Sequence, residues 1–319
     1  MSAARAASVC EKGDGLPIAP VFTSPCDLAS RLPAMIAEFL DVEKHLKRRF
    51  REDSITDILI ASLLSLPGND VVVQTPSEAK TGGDFDLVIV APASEDAVQF
   101  RVQAKRLTPH ANDWTTGSYV ELSHPHNSGI QSRLLVSGVG RESLPTIPLY
   151  AFYNPAHVCA ASGDTVTGIE LASGWEIRER VKAMVKIKPK RLPYKRIGSL
   201  QPLFFPLSTI LCPPRPVGAP AIPLPTEVRS AVEEAIEMRS ALAGFGQTLR
   251  ILAPPQVQSL AGPDGGRRRR SDAVPRDLRA RQLPAIIRTA IERRDERIVP
   301  ARVKRPRVIL IAEDNPSET

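Results

Sequence analysis

Two consecutive runs of β-branched and aromatic residues, with a short polar break between them, constrain the fold of this chain more than any other feature. The first run covers residues 84–90 and the second covers residues 98–107. The break between them, residues 91–96, reads Ala-Pro-Ala-Ser-Glu-Asp. Runs of this length on either side of turn-forming residues predict two strands joined as a hairpin.

Polar side chains recur at every second position of both predicted strands. Because successive side chains of a strand point to opposite faces, Asp84 and Asp86 share one face of the first strand, and Gln103 and Lys105 share one face of the second. Carboxylates beside an amide and an ammonium can hold a divalent cation against a phosphate. The periodicity leaves a second interpretation open, in which these are ordinary polar side chains of a half-exposed sheet.

The same residues resemble the PD-(D/E)XK nuclease superfamily, since Asp86 precedes Leu-Val-Ile and Gln103-Ala-Lys105 follows seventeen residues later. Gln103 stands where most members have Glu or Asp, a variant seen in Mrr-like restriction endonucleases. A longer pattern is similar to an uncharacterised bacterial family catalogued as domain of unknown function 6615, over roughly residues 45 to 155. That similarity rests on Glu52, Thr81-Gly-Gly-Asp84, Val102 to Leu107, Gln131, and Leu149 to Asn154.

This resemblance implies an α/β fold with a restriction-endonuclease-like core, in the order helix, three strands, helix, strand. It implies a metal-dependent phosphodiesterase acting on nucleic acid, with DNA favoured over RNA, in bacterial defence or DNA processing. Lys105 would orient the attacking water or stabilise charge on the phosphate. The expected catalytic residues are Asp84, Asp86, Gln103, Lys105, Glu78 and Glu52; Asp86, Asp84 and Gln103 would hold Mg²⁺ or Mn²⁺, and Arg106 and Gln131 would contact nucleic acid.

The charge of the chain also favours an acidic partner. Its formal net charge is +7, and residues 267–307 alone contain 15 basic and 5 acidic residues. This segment opens with Arg267, Arg268, Arg269 and Arg270, which we expect to bind nucleic acid. The alternative is that the charge only keeps a flexible tail in solution.

Composition divides the chain into three predicted parts. Residues 1–32 lack hydrophobic periodicity and predict a disordered leader. Residues 33–212 predict the α/β domain, with Pro33 at a helix start and Ser54 capping the next helix. Residues 213–319 predict a Pro/Arg-rich, low-complexity tail with one or two helices, because large apolar residues are scarce there. The apolar run that begins at Val308 resembles the first strand of a different fold, and we interpret this resemblance as a coincidence.

Several kinds of site and location are not expected from this sequence. The four cysteines are far apart and form no Cys-x-x-Cys pair, so neither a zinc site nor a disulfide framework is expected. No apolar run approaches the length of a membrane span, and no secretory signal is recognisable, which predicts a cytoplasmic protein. Trp114 and Tyr119 are either base-stacking groups or loop anchors.

Three functional classes therefore remain open. The first is a metal-dependent nuclease. The second is a nuclease-fold module that binds nucleic acid but has lost catalysis, and the third is a protein-interaction scaffold with a cationic tail. A homodimer is possible for each of them.

Overall fold

The structure, a computed structural model, describes residues 20–46, 50–76, 84–110, 113–123, 125–126, 129–187, 193–216, 219–243 and 282–313. Its α-helices in these ranges are α1 (Pro25–Val42), α2 (Glu52–Leu64), α3 (Gln131–Val136), α4 (Ala156–Ala161), α5 (Gly174–Ile187), α6 (Ile197–Leu200), α7 (Ser208–Leu211), α8 (Pro225–Leu242) and α9 (Ala285–Glu292). Its strands are β1 (Val71–Pro76), β2 (Asp84–Ala91), β3 (Asp96–Arg106), β4 (Pro125–His126), β5 (Gly129–Ile130), β6 (Thr146–Tyr153), β7 (Ile169–Ser173), β8 (Phe205–Pro206), β9 (Ile298–Ala301) and β10 (Arg307–Ile311).

One mixed sheet organises the described part of the chain. Its eight strands lie in the order β8, β7, β6, β3, β2, β10, β1, β9. Strands β2 and β3 are antiparallel, whereas β3 pairs with β6 and β10 pairs with β2 in parallel. The mixed α/β class expected from the sequence is confirmed.

The predicted hairpin forms β2 and β3. Residues 92–95 make the connecting turn, in which Glu95 has a φ of 53°. The register places Asp84 opposite Gln103 and Asp86 opposite Arg101. Residues directly opposite each other in an antiparallel pair project their side chains from the same face. The expected sharing of one face by the two aspartates, Gln103 and Lys105 is therefore confirmed.

The first face of the sheet is covered by α1, α2, α7 and α8. Apolar residues of β2 and β3 that alternate with the polar ones, such as Phe85 and Val102, pack here against Leu59 of α2 and Val232 of α8. Burying each such side chain contributes about 1.5–3 kcal/mol, so this continuous cluster is the main stabilising layer.

The second face carries two separate apolar clusters. One joins Tyr150 and Phe152 of β6 to Ile177 of α5. The other joins Val88 of β2 and Ile309 of β10 to residues of α9. The side chains of Asp84, Asp86, Gln103 and Lys105 project from this same face, between the two clusters.

The C-terminal part of the chain contributes directly to this core. One or two helices were expected there, and the structure has α8 and α9, but the tail interpretation is wrong for α8, α9, β9 and β10. Strand β10 lies between β2 and β1, and its residues 308–311 are all at most 1% exposed. A run of four aliphatic residues can form a strand that is buried on both faces, and no aromatic residue is needed for that.

The N-terminal boundaries also differ from the expected ones. Helix α1 begins at Pro25, because the Ser24 side chain accepts a hydrogen bond from the Asp27 backbone N–H, and Pro33 lies inside this helix. Residues 25–32 are therefore helical, and residues 1–19 lie outside the described ranges. Helix α2 begins at Glu52 with Arg51 as its N-cap, so Ser54 is not the cap.

A disulfide joins Cys26 in α1 to Cys212, the residue that follows α7. This pairing corrects the expectation that the cysteines form no disulfide. The fold brings the two residues, which are 186 positions apart in the chain, to a Cα–Cα distance of 4.8 Å. Cytoplasmic location stays a prediction. In the described ranges, none of the helices has the length and apolar character needed to cross a membrane.

Candidate functional site

The polar side chains between the two apolar clusters of the second face form a compact group. We call it the polar cluster, and it consists of Asp84, Asp86, Arg101, Gln103, Lys105, Arg305 and Arg307. Asp86, Gln103 and Lys105 are only 5%, 4% and 2% exposed. The interpretation as an ordinary half-exposed face is therefore wrong for Asp86, Gln103 and Lys105, whereas Asp84 is partly buried. Buried charges are paired with opposite charges or hold ions, so the contacts of these side chains indicate what the cluster can bind.

Asp84 and Gln103 form the centre of the cluster. They lie directly opposite each other on β2 and β3, and the Gln103 side chain is among the groups that act to lower the pKa of Asp84. Burial raises the pKa of Asp84, while the positive charges of Lys105 and Arg305 oppose this rise. The side-chain oxygen of Gln103, Oε1, is buried without a hydrogen-bond partner among the described residues. One carboxylate and one unpartnered carbonyl oxygen thus lie side by side.

Lys105 is held in place from the first turn of α2. Its ammonium nitrogen Nζ lies 3.2 Å from Oε2 of Glu52. The other Glu52 oxygen, Oε1, accepts a hydrogen bond of 3.0 Å from the backbone N–H of Arg106. The positive end of the helix dipole also favours a carboxylate in the first turn. Glu52 therefore fixes both the end of β3 and the charge of Lys105.

Asp86 lies in a different environment from Asp84. Arg101 of β3 and Arg307 of β10 are its direct neighbours across the strands. Arg305 Nε lies 3.8 Å from Asp86 Oδ1, and Arg307 Nη2 lies 3.5 Å from Oδ2. Burial raises the pKa of Asp86, and the arginines oppose this rise. The two aspartates expected to bind metal thus lie on different sides of the polar cluster. Asp84 lies on the side of Lys105, and Asp86 lies on the arginine side, which is formed with Arg101, Arg305 and Arg307.

Tyr150 borders the centre of the cluster on β6. It pairs with Gln103 across the parallel strands and is fully buried. Its hydroxyl has no hydrogen-bond partner within the described ranges, and burial raises its pKa. The neutral hydroxyl can donate a hydrogen bond to an oxygen placed beside Asp84 and Gln103.

Of the other residues expected at the site, the structure describes the side chain of Arg106 but not those of Gln131, Glu78 and the four consecutive arginines. The Arg106 guanidinium donates to the backbone oxygen of Phe50 and pairs with Glu43, so it contributes to the packing of this region, and its contact with nucleic acid stays a prediction. Gln131 is the first residue of α3, but its side chain lies outside the described part of the structure. Glu78 and the four arginines Arg267, Arg268, Arg269 and Arg270 also lie outside it.

The two loop aromatics differ in their surroundings. Tyr119 is fully buried, and its hydroxyl donates a 2.6 Å hydrogen bond to Oδ1 of Asn154. It packs against Phe152 with 4.5 Å between ring centroids, which makes it a structural anchor of the loop. Trp114 is only half-buried in a short 3₁₀-helix, Trp114–Thr116.

Sequence reasoning missed four residues of this region: Tyr150, Arg101, Arg305 and Arg307. Arg101 alternates with Gln103 and Lys105, so the period-two pattern already placed it on the same face. Arg305 and Arg307 are also two positions apart, immediately before an apolar run. That pattern predicts a strand with both arginines on one face, once the run is read as part of the sheet.

Among the described residues, His, Cys, Asp and Glu side chains form no group of three or more that could hold a metal ion. The carbonyl oxygen of Gln103 is a further oxygen donor beside Asp84. Mg²⁺ sites commonly use only one or two carboxylates and leave the remaining positions to water and phosphate. The donor set of Asp84 and Gln103 is compatible with that chemistry.

A family model described as "Family of unknown function (DUF6615)" matches residues 25–317. The match covers far more of the chain than the residues that carried the similarity in the sequence, and it includes α8 and β10. No curated protein and no solved structure matches the chain.

Proposed function

The chain belongs to this family of unknown function, DUF6615, and from its polar cluster we propose that it is a metal-dependent phosphodiesterase that cleaves nucleic acid. The observation that carries the proposal is the placement of Asp84, Gln103 and Lys105 on one buried face, with Lys105 fixed by Glu52. The chain order α2, β1, β2, β3, α3, β6, with the two-residue strands β4 and β5 between β3 and α3, supports the resemblance to restriction-endonuclease-like cores.

Asp84 and Gln103 are the residues that would hold the metal. Gln103 Oε1 is a buried oxygen without a hydrogen-bond partner in the described structure, and Gln103 lies directly opposite Asp84. Oxygen ligands suit Mg²⁺ and Mn²⁺. When bound, such an ion lowers the pKa of a coordinated water and neutralises charge on the phosphate.

Each protein group has a distinct part in this chemistry. A cation beside Asp84 favours its ionised form and so offsets the effect of burial on its pKa. Lys105 is positioned to stabilise negative charge that develops on the phosphate oxygens. Glu52 accepts from Lys105 and holds the ammonium in one orientation. Charge stabilisation by groups fixed before the reaction is usually the largest contribution to catalysis.

Nucleic acid is the preferred substrate because the chain is basic, with a formal net charge of +7. DNA is favoured over RNA, and a role in bacterial defence or DNA processing follows from the nuclease resemblance.

One observation favours a second candidate, a module that binds nucleic acid without cleaving it. Gln103 replaces an acidic residue, so the centre of the cluster has one negative charge fewer, and the arginines hold Asp86 on its other side. Both features lower the attraction for a cation. A protein-interaction scaffold is the third possibility, and it predicts no retention of DNA or RNA at any salt concentration.

A cleavage assay separates these candidates. Purified protein is incubated with single- and double-stranded DNA and with RNA, in magnesium, in manganese and in EDTA. The nuclease proposal predicts metal-dependent strand cleavage that Lys105→Ala abolishes. The matched control is Lys182→Ala, which alters a half-exposed lysine of α5. Binding of every substrate without cleavage would support the second candidate and would refute the proposed activity.

A further inference from the structure

The arginine side of the polar cluster has unused hydrogen-bonding capacity. Asp86 Oδ1 and the Nε atoms of Arg101 and Arg307 are buried, and within the described ranges they have no hydrogen-bond partner. The ion pairs of Asp86 with Arg305 and Arg307, at 3.8 and 3.5 Å, exceed the 2.7–3.2 Å range of N–H···O hydrogen bonds. The guanidinium groups are therefore held near Asp86 by charge, but some of their N–H donors remain without an acceptor among the described residues.

Positive charge outnumbers negative charge on this side. Three guanidinium groups, those of Arg101, Arg305 and Arg307, surround the carboxylate of Asp86. A second carboxylate, Glu142, forms an ion pair with Arg101. Arginine stays protonated in proteins, so this side carries one more positive than negative charge, and an anion bound among the partly buried guanidinium groups would offset it.

Arg305 connects this side to the candidate metal site. Its charge acts on Asp84 as well as on Asp86. Its side chain is 21% exposed, more than those of Arg307 and Asp86, at 14% and 8%. Arg305 is thus the arginine of the pair that an incoming ligand can reach first.

We propose that Arg305 and Arg307 of the C-terminal segment, together with Arg101, bind a backbone phosphate of the substrate strand beside the phosphate at the Asp84 centre. The planar fork of a guanidinium matches two phosphate oxygens at once, which suits this ligand better than a single point charge does. Asp86 is then a positioning residue that orients Arg305 and Arg307, and the metal is held by Asp84 and Gln103. Nucleic acid as the ligand rests on the proposed function.

The experiment measures binding separately from cleavage. Fluorescence anisotropy follows a short labelled DNA strand binding to the full chain, with calcium in place of magnesium, over a series of salt concentrations. Arg305→Gln is expected to weaken binding by about tenfold to a hundredfold. It should also lower the slope of log K against log salt by about 0.7 for a single strand, the value for one lost phosphate contact.

Two matched variants serve as controls. Arg302→Gln removes an exposed arginine from the same segment and should leave the slope unchanged. Arg305→Lys keeps the charge but loses the fork, so its slope should stay near wild type while its affinity falls. Thermal melting of each variant shows that the fold is retained, which is expected because Arg305 is not fully buried.

The outcomes distinguish this inference from the proposed activity. If Arg305→Gln binds with the same affinity and slope as Arg302→Gln, the phosphate site is refuted even when wild type cleaves DNA. If wild type never cleaves but Arg305→Gln loses one phosphate contact, the site stands and the nuclease activity is refuted. Thermal unfolding of Arg305→Gln under the assay conditions would assign Arg305 to the fold and would also overturn the proposal.

Discussion

Replacing Leu310 by alanine tests whether the C-terminal strand is part of the core. Leu310 is 0% exposed and belongs to the apolar cluster of the first face, together with Val308. Its strand, β10, pairs with β2 on one side and with β1 on the other. If this segment were an appendage, the same substitution would leave the free energy of unfolding almost unchanged.

The expected loss can be worked out from the atoms removed. Leu→Ala deletes three buried carbon atoms, and transfer from the core accounts for about 0.8 kcal/mol each. The cavity left behind adds to this, so the free energy of unfolding should fall by about 3–5 kcal/mol. Typical domains have about 5–15 kcal/mol in total, so the variant should be severely destabilised.

Urea unfolding, followed by circular dichroism, measures this loss. Leu242→Ala makes the same chemical change on α8 at a side chain that is 71% exposed, and it should change the free energy of unfolding by about 0.5 kcal/mol or less. Ile309→Ala, on the opposite face of β10, should resemble Leu310→Ala. Equal urea midpoints for Leu310→Ala and Leu242→Ala would show that β10 does not contribute to the core.

Three further predictions follow from other parts of the chain. Gln103→Glu should keep cleavage and tighten metal binding, whereas Gln103→Leu should lower the cleavage rate by about 10²–10³ at unchanged melting temperature; full activity of the Leu variant would refute a role for the amide. Burial raises the pKa of Glu170 from 4.5 to about 7, so the folded state loses stability as pH rises through about 7. Glu170→Gln should therefore be more stable than wild type above pH 7, by at most about 3 kcal/mol, and equally stable below pH 4.5; a difference independent of pH, measured by urea unfolding, would contradict this. Cys212→Ser should lower stability by about 2–4 kcal/mol under non-reducing conditions, whereas Cys159→Ser, which alters a free cysteine, should not; identical melting curves for the two variants would contradict the disulfide.

The local part of the site could be predicted from the sequence. The hairpin and the shared face of Asp84 and Gln103 follow from period-two alternation and a short connection, both of which are local properties. Alternation does not show how deeply a face is buried, so it left a half-exposed sheet face open as an alternative, whereas Lys105 is only 2% exposed.

The long-range part of the fold could not be predicted in this way. Periodicity identifies a strand but not its partners, and the insertion of β10 between β2 and β1 joins segments more than two hundred residues apart. The ion pairs of Arg305 and Arg307 with Asp86 depend on that insertion. The Cys26–Cys212 pairing is similarly remote, since cysteine spacing alone does not determine which sulfur atoms meet.

Asp84→Asn tests the central claim most directly, namely that Asp84 and Gln103 hold a cation at which Lys105 assists phosphodiester cleavage. The measurement is the rate of magnesium-dependent DNA cleavage, compared with Asp57→Asn, which alters an exposed aspartate on α2. The account predicts that Asp84→Asn loses cleavage by at least about 10²–10³ while its melting temperature is retained, and that Asp57→Asn cleaves like wild type. Equal cleavage rates for Asp84→Asn and wild type would contradict it.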